Sequence, residues 1–309
     1  MEATIVDQIR LNAHNPPVMR GLIVAELARL SRLSSAELAN EQKRACEFCG
    51  CTLEPKWLAV PEALSPRCGV WVWPTCRCPG WREDDIRRRA EAERTSAQVA
   101  SARYAAQVER AGLIGLLAKC TFDSFKSRTD WLDSTKVLYR VREYANAVLR
   151  GDNSKPWLIL HGNFGTGKSH LAAAVIRECI DGGMNDCFFR DWVRYVQRIK
   201  ATWNHPVRRD LDDDYGSESE EEILRELARG RIVVIDDLDK QPATEWSRAT
   251  LYGALNQRYN GNLPTVLTFN HDLADRVVLD YIGGAILDRI MQHAFDIVEF
   301  NGSSYRTQA

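Results

Sequence analysis

The chain has 309 residues, 45% of them hydrophobic and 27% charged; that length suggests about two domains, and the balance is that of a globular protein, not a disordered or fibrous one. A formal net charge of −1 excludes an overall field drawing the chain to nucleic acid or a membrane surface, so any basic site has to be local. No run approaches eighteen apolar residues, so no membrane-spanning helix is expected, and the opening "MEATIVDQIR" has no apolar core of a secretory leader, which predicts a cytoplasmic protein.

In chain order, "PPVMRGLIVAELARLSRLSSAELANEQKRA" comes first and predicts two helices. Leu22, Leu27, Leu30 and Leu33 recur near helical spacing, and Ser34 or Ser35 caps the second helix. Next come the cysteines. Nine are present and six lie between Cys46 and Cys78, an odd number that points to metal binding or free thiols in place of a disulfide framework. "CEFCG" sets two thiolates across a tight turn freed by Gly50, and "CRC" supplies a second pair. Cys46, Cys49, Cys76 and Cys78 would close a tetrahedral structural Zn²⁺ site, with Cys51 or Cys68 able to replace a member; redox chemistry or an iron–sulfur cluster is the competing use. "WREDDIRRRAEAERTSAQVASARYAAQVER" has no glycine or proline and little apolar content, as expected of a solvated linker helix. The predicted divisions are an N-terminal helical and metal-binding module over 1–80, a helical linker over 81–118 and a larger domain over 119–309.

From about Trp131 helices alternate with short apolar runs. "WLILH", "CFFR", "RIVVID", "TVLTF" and "DIVEF" are the candidate strands. The alternation predicts an α/β fold with a five-stranded parallel sheet flanked by helices. Nine residues follow "DIVEF", so no C-terminal helical lid is expected. "LDDDYGSESEEE" reads as a surface loop running into a helix start. Helix "DWVRYVQRIKATW" places Trp192, Val196, Ile199 and Trp203 on one face, expected to pack on the sheet. Arg194 and Arg198, with Lys200 nearby, lie on another side as a basic, solvated face.

"HGNFGTGKSH" follows the first of these strands and opens a helix, and it matches G-x-x-x-x-G-K-[ST]. With glycine near 7% of residues, the odds of a chance match are on the order of one in a hundred. Gly162, Asn163, Phe164, Gly165, Thr166, Gly167, Lys168, Ser169 and His170 are therefore the candidate nucleotide-binding residues. The glycines let backbone N–H groups converge on phosphate at a helix N-terminus, Lys168 neutralises the β and γ phosphates, and Ser169 ligates Mg²⁺. "RIVVIDDLD" ends a buried strand on the second acid such a site needs: Asp236 for Mg²⁺ and Asp237 to polarise the attacking water. "LPTVLTFNHDL" places Asn270 at the end of another strand, where an amide can orient that water.

Taken together, "GNFGTGKSHLAAAV", "VVIDDL", "QRYNGNLPTVLTFN", "ILDRI" and "GSSYR" resemble the AAA+ ATPases of the DnaC/DnaI helicase-loader group, which includes transposition ATPases of the IstB type. The likeness starts at "CTFDSF" and runs almost to the C-terminus. It implies a lidless AAA+ domain with Asn270 as the first sensor. Arg289 becomes an arginine finger offered to a neighbouring subunit's ATP, and Arg306 takes the second sensor position. The family's segment between its second and third strands contacts single-stranded DNA, which implies that role for Arg194, Arg198 and Lys200. Zinc-bearing loaders carry a similar cysteine pattern ahead of "TFDSF". Asp237 stands where many AAA+ proteins have Glu, and a shorter acid implies slower hydrolysis. The resemblance implies an ATP-dependent loader of a replicative hexameric helicase that self-associates into a spiral or ring on ATP and DNA. A transposition helper acting on duplex DNA with a transposase, and a zinc-containing adaptor with an idle P-loop, are the alternatives.

Overall fold

The computed structural model describes residues 44–53, 56–59, 69–72, 75–127, 134–204, 219–240 and 244–305. The two helices predicted before the cysteines, Cys68, most of the acidic stretch and Arg306 lie outside the described residues. The chain divides into two compact units, Met1–Gln98 and Val99–Ala309. No described helix is long and apolar enough to cross a membrane.

In the first unit β1 (Arg44–Ala45) pairs antiparallel with β2 (Thr52–Leu53), and β3 (Lys56–Ala59) with β4 (Gly69–Val72). The β1–β2 turn brackets three of the cysteines. Its sharp reversal uses Gly50 at φ 69°, a left-handed conformation that costs glycine little. Helix α1 (Pro79–Arg110) begins in this unit and ends in the second.

The second unit is built on a parallel sheet in the order β6–β7–β8–β5–β9, with β5 Trp157–Gly162, β6 Cys187–Asp191, β7 Ile232–Asp236, β8 Thr265–Thr268 and β9 Ala294–Phe300. All five predicted strands form. Their apolar runs are continuous because both faces are covered. Leu158, Leu160, Val234, Val266 and Val298 point into one core beneath α2 (Ser134–Leu149) and α3 (Lys168–Asp181). Trp157, Ile159, Val233, Ile235 and Leu267 point into the other. That second face is closed by α4 (Trp192–Asn204), α5 (Glu220–Arg229), α6 (Glu245–Asn260), α7 (Arg276–Ile282) and α8 (Gly284–His293). Burial of each large side chain contributes about 1.5–3 kcal/mol. Helix α5 starts where the acidic stretch ends, on a capping box in which Ser219 and Glu222 each accept the other's backbone N–H.

Two packing details depart from a simple reading of helix faces. Trp192, Val196 and Ile199 are buried as expected, but Trp203 is 49% exposed, set edge-on to Trp246 with ring centroids 5.0 Å apart; α4 has outrun the sheet by that turn. The last turns of α1 are packed, not solvated. Tyr104 donates to Asp181 at 2.6 Å, Gln107 donates to the Met184 carbonyl at 2.9 Å, and Val108, Ala111 and Leu113 are buried in the core. The Phe189 N–H donates to the Ala111 carbonyl at 2.6 Å, which covers the β6 edge of the sheet.

Arg258 is fully buried and has no carboxylate partner among the described residues. Its guanidinium donates to Thr265 Oγ1 at 2.8 Å and to the carbonyls of Leu227 (2.8 Å), Gly230 (2.9 Å) and Pro264, tying α5 and α6 to the start of β8. Burial pushes its pKa down to about 9. Arg258→Ala removes the donor shared by these acceptors and leaves a cavity, so a loss of about 3–5 kcal/mol is expected in urea denaturation, with Arg258→Lys recovering part of it.

Candidate nucleotide and metal sites

Strand β5 lies inside the sheet between β8 and β9, and the chain leaves it through α3 to reach β6 at the far edge. A crevice at the carboxyl ends of the strands follows from that crossover, and the loop 162–167 lies there. Gly162 has φ 118°, and a Cβ on it would sit 2.4 Å from the Phe300 carbonyl oxygen; no other residue lets β5 turn so close to β9. Gly167 has φ 98° and is the N-cap of α3, with no side chain capping that helix end. An uncapped N-terminus presents unsatisfied N–H groups and a partial positive charge to an anion. Lys168 is buried, and its Nζ donates to the carbonyls of Gly162 and Asn163, each at 2.7 Å. The loop is anchored from behind: the Asn163 N–H donates to the Phe300 carbonyl at 2.9 Å, and the Tyr305 N–H to the Gly165 carbonyl at 2.8 Å.

Ser169 Oγ donates to Asp236 Oδ1 at 3.0 Å and Thr268 Oγ1 donates to the same oxygen at 2.7 Å. Burial, reinforced by the neighbouring Asp237 carboxylate, pushes the Asp236 pKa up to about 6; a bound cation would hold it ionised. The backbone of Asp237 is left-handed, φ 57°, and its N–H donates to Thr268 Oγ1 at 2.8 Å. This turns its carboxylate beside Asn270, whose Nδ2 donates to Asp237 Oδ1 at 3.1 Å. Lys240 Nζ holds the other oxygen at 2.7 Å. Lys168, Ser169, Asp237 and Asn270 line one cavity of about 500 Å³, with Asp236 behind Ser169.

Several lining residues were given no role in the site by the sequence. Leu117, Cys120, Phe125, Lys126 and Tyr305 form the wall away from the acids. Phe125 meets the rings of His170 (5.6 Å) and Tyr305 (6.1 Å) edge-on. His170, assigned from sequence to the nucleotide, turns its Nε2 to Ser124 Oγ (3.1 Å) and the Thr121 carbonyl (3.0 Å), so it fastens the 121–125 segment to the P-loop helix. Phe164 is 59% exposed at the loop tip. Only the "TFDSF" resemblance hinted that this upstream segment belongs to the site.

The remaining predicted residues lie elsewhere. Arg289, on α8, stacks over the rings of Tyr252 (5.2 Å) and Tyr259 (5.1 Å) and does not line the cavity of its own chain. Arg198 is paired with Glu226 at 2.9 Å, which also pairs with Arg190, so much of its charge is neutralised locally. Lys200 Nζ lies 5.9 Å above the Trp246 ring. Arg194 and Arg198 border a second cavity with Arg190 and Tyr195.

In the first unit the Sγ atoms of Cys46, Cys49, Cys51 and Cys76 all lie within 4.8 Å of one another. Around a tetrahedral ion with Zn–S bonds of about 2.3 Å, thiolates sit about 3.8 Å apart. The Cys49–Cys76 and Cys51–Cys76 separations of 3.5 and 3.4 Å fit that donor set. The backbone N–H of Cys51 holds the Cys49 thiol down to about 6, while contacts with the neighbouring thiols push Cys51 and Cys76 up, so the cluster without metal favours one thiolate, at Cys49. Three of the four predicted ligands thus converge, joined by Cys51. Cys78 Sγ is 3.9 Å from Cys46 Sγ and accepts the Trp81 N–H at 3.4 Å where α1 begins. One zinc per chain is expected by elemental analysis, lost in Cys46→Ser, Cys49→Ser, Cys51→Ser or Cys76→Ser and retained in Cys78→Ser. Chelation should unfold this unit while nucleotide binding survives, because metal binding supplies its folding free energy.

A parallel sheet with a glycine loop, a buried lysine and a serine–aspartate pair at its carboxyl edge defines a P-loop nucleotide-binding protein. A model of the IstB-like ATP binding protein family matches residues 143–309, more than half of the chain, and the chain belongs to that family. It is 25% identical over 199 residues to the replicative helicase loader DnaC of Escherichia coli (strain K12), covering 64% of this chain and 74% of that one. It is 28% identical over 171 residues to a protein of insertion sequence IS21 from Pseudomonas aeruginosa, covering 54% and 57%. The crystal structure of the DnaC helicase loader superposes with a TM-score of 0.49 at 17% identity, covering 61% of this chain and all of that one.

Proposed function

We propose that this protein is a cytoplasmic ATPase that loads a replicative hexameric helicase onto single-stranded DNA. The observation that carries the catalytic half is the convergence of Ser169 Oγ and Thr268 Oγ1 on a single Asp236 oxygen beside the uncapped N-terminus of α3. ATP phosphates fit that helix end, with Lys168 exchanging its loop carbonyls for phosphate oxygens. Ser169 and, through water, Asp236 would hold Mg²⁺, which would supply positive charge against the phosphates. Asp237 accepts a proton from the attacking water and Asn270 orients it, giving ADP and phosphate. Arg306, in the second sensor position, and Arg289, from a neighbouring subunit in a spiral or ring, add positive charge. The nucleoside lies along Leu117, Phe125 and Tyr305.

The loader half rests on the DnaC match, whose aligned stretch is longer than the IS21 one, and on the thiol cluster as a separate zinc-holding, helicase-facing module. Arg194, Arg198 and Lys200 supply contacts to DNA phosphates, for which charge without sequence readout suffices. A transposition helper is the second reading, favoured by the family match itself. An adaptor with an idle P-loop is disfavoured by the ordered acids. The deciding experiment incubates the full chain with ATP and either a replicative hexameric helicase on closed circular single-stranded DNA or an IS21-type transposase on duplex DNA. ATP-dependent transfer of helicase onto the circle is the expected result; an ATP-dependent complex with the transposase and duplex DNA alone would establish the second reading.

A further inference from the structure

We propose that Asp239 is a positioning residue that sets the orientation of the Asn270 carboxamide at the γ-phosphate end of the nucleotide cavity; this rests on the nucleotide reading above. Asp239 lies three residues past β7, and its side chain is fully buried. Its carboxylate accepts from the Asn270 N–H at both oxygens (2.9 and 2.8 Å), from Asn270 Nδ2 at 3.2 Å, from the His271 N–H at 2.9 Å and from His271 Nδ1 at 2.8 Å.

Past Thr268 the chain leaves the β8 ladder, and the two amides of that turn find their acceptor in this carboxylate. A buried carboxyl group bonded by donors at both oxygens is rigidly held. The same acid fixes the amide. Asn270 Nδ2 donates to both Asp237 Oδ1 and Asp239 Oδ1, and rotating the carboxamide by half a turn would set its oxygen against two carboxylates. Asp239 therefore dictates that the NH₂ group faces Asp237 and that the carboxamide oxygen faces away. The His271 ring, held by Asp239, meets the Phe164 ring of the P-loop edge-on at 6.3 Å, so one acid ties together the ends of β7 and β8 and the loop that wraps phosphate.

The test is a double-mutant cycle of Asp239→Asn with Asn270→Ala, read by binding as well as turnover. Wild type is expected to bind ATPγS more tightly than ADP. Asp239→Asn should erase most of that preference, leave ADP affinity within about threefold, and lower kcat about ten- to hundredfold with little change in KM. In the Asn270→Ala background Asp239→Asn should change neither the preference nor kcat further, whereas any loss of thermal stability should persist because the His271 contacts remain. If Asp239→Asn does not fold, Asp239→Ser, which keeps an acceptor, takes its place in the cycle. Equal losses in both backgrounds, or an unchanged preference in the single variant, overturn the proposal while leaving the P-loop reading intact. A wild-type chain that binds neither nucleotide overturns both.

Discussion

Lys168→Ala is expected to weaken ATP binding by on the order of a hundredfold or more, in a titration with a fluorescent ATP analogue. Lys168 is 4% exposed, in the loop that closes on the α3 N-terminus, and deleting one member of a buried, hydrogen-bonded charge pair costs about 2–5 kcal/mol. It donates to two loop carbonyls, Gly162 and Asn163, so the loop has an anchor to lose as well. Thr166 Oγ1 still donates to the Asn163 carbonyl at 2.8 Å, and the backbone bonds to Phe300 and Tyr305 remain, so the melting temperature should move little. Asp236→Ala should act differently, with Mg²⁺-dependent hydrolysis falling more than binding. Wild-type affinity in Lys168→Ala would sink the nucleotide assignment.

Removing Arg289 should abolish hydrolysis stimulated by single-stranded DNA, by about a thousandfold, while ATP binding by the isolated chain stays nearly intact. The geometry gives the reason. The guanidinium stacks between Tyr252 and Tyr259 and accompanies α8, outside the cavity formed by Lys168, Ser169 and Asn270; any action on phosphate has to be on a neighbour's. Mixing Arg289→Ala with Lys168→Ala chains should restore part of the activity, since an intact P-loop then meets an intact arginine. Stimulated hydrolysis at the wild-type rate in Arg289→Ala alone would refute the finger, and the case for stacked subunits would then rest on family membership.

The sequence by itself determined the parts whose physics is local. Strands β5 to β9 were legible because a sheet buried on both faces demands unbroken apolar runs, and the glycine loop because only glycine tolerates the backbone at Gly162 and Gly167. Asp236 and Asn270 were legible because each ends such a run. The tertiary structure decided what depends on distant segments meeting. Asp239 reads as a third acid in a turn until the β8 end folds onto it. His170 belongs to a phosphate motif by spacing, yet its ring serves the 121–125 segment, more than forty residues upstream. Arg198 reads as a free cation on a helix face until α5 brings Glu226 alongside. Spacing assigns Cys78 to the metal and keeps Cys51 as a possible replacement; the β1–β2 hairpin carries Cys51 into the cluster, while the start of α1 engages Cys78. Spacing specifies which groups one element presents, and only packing specifies which groups from other elements satisfy them.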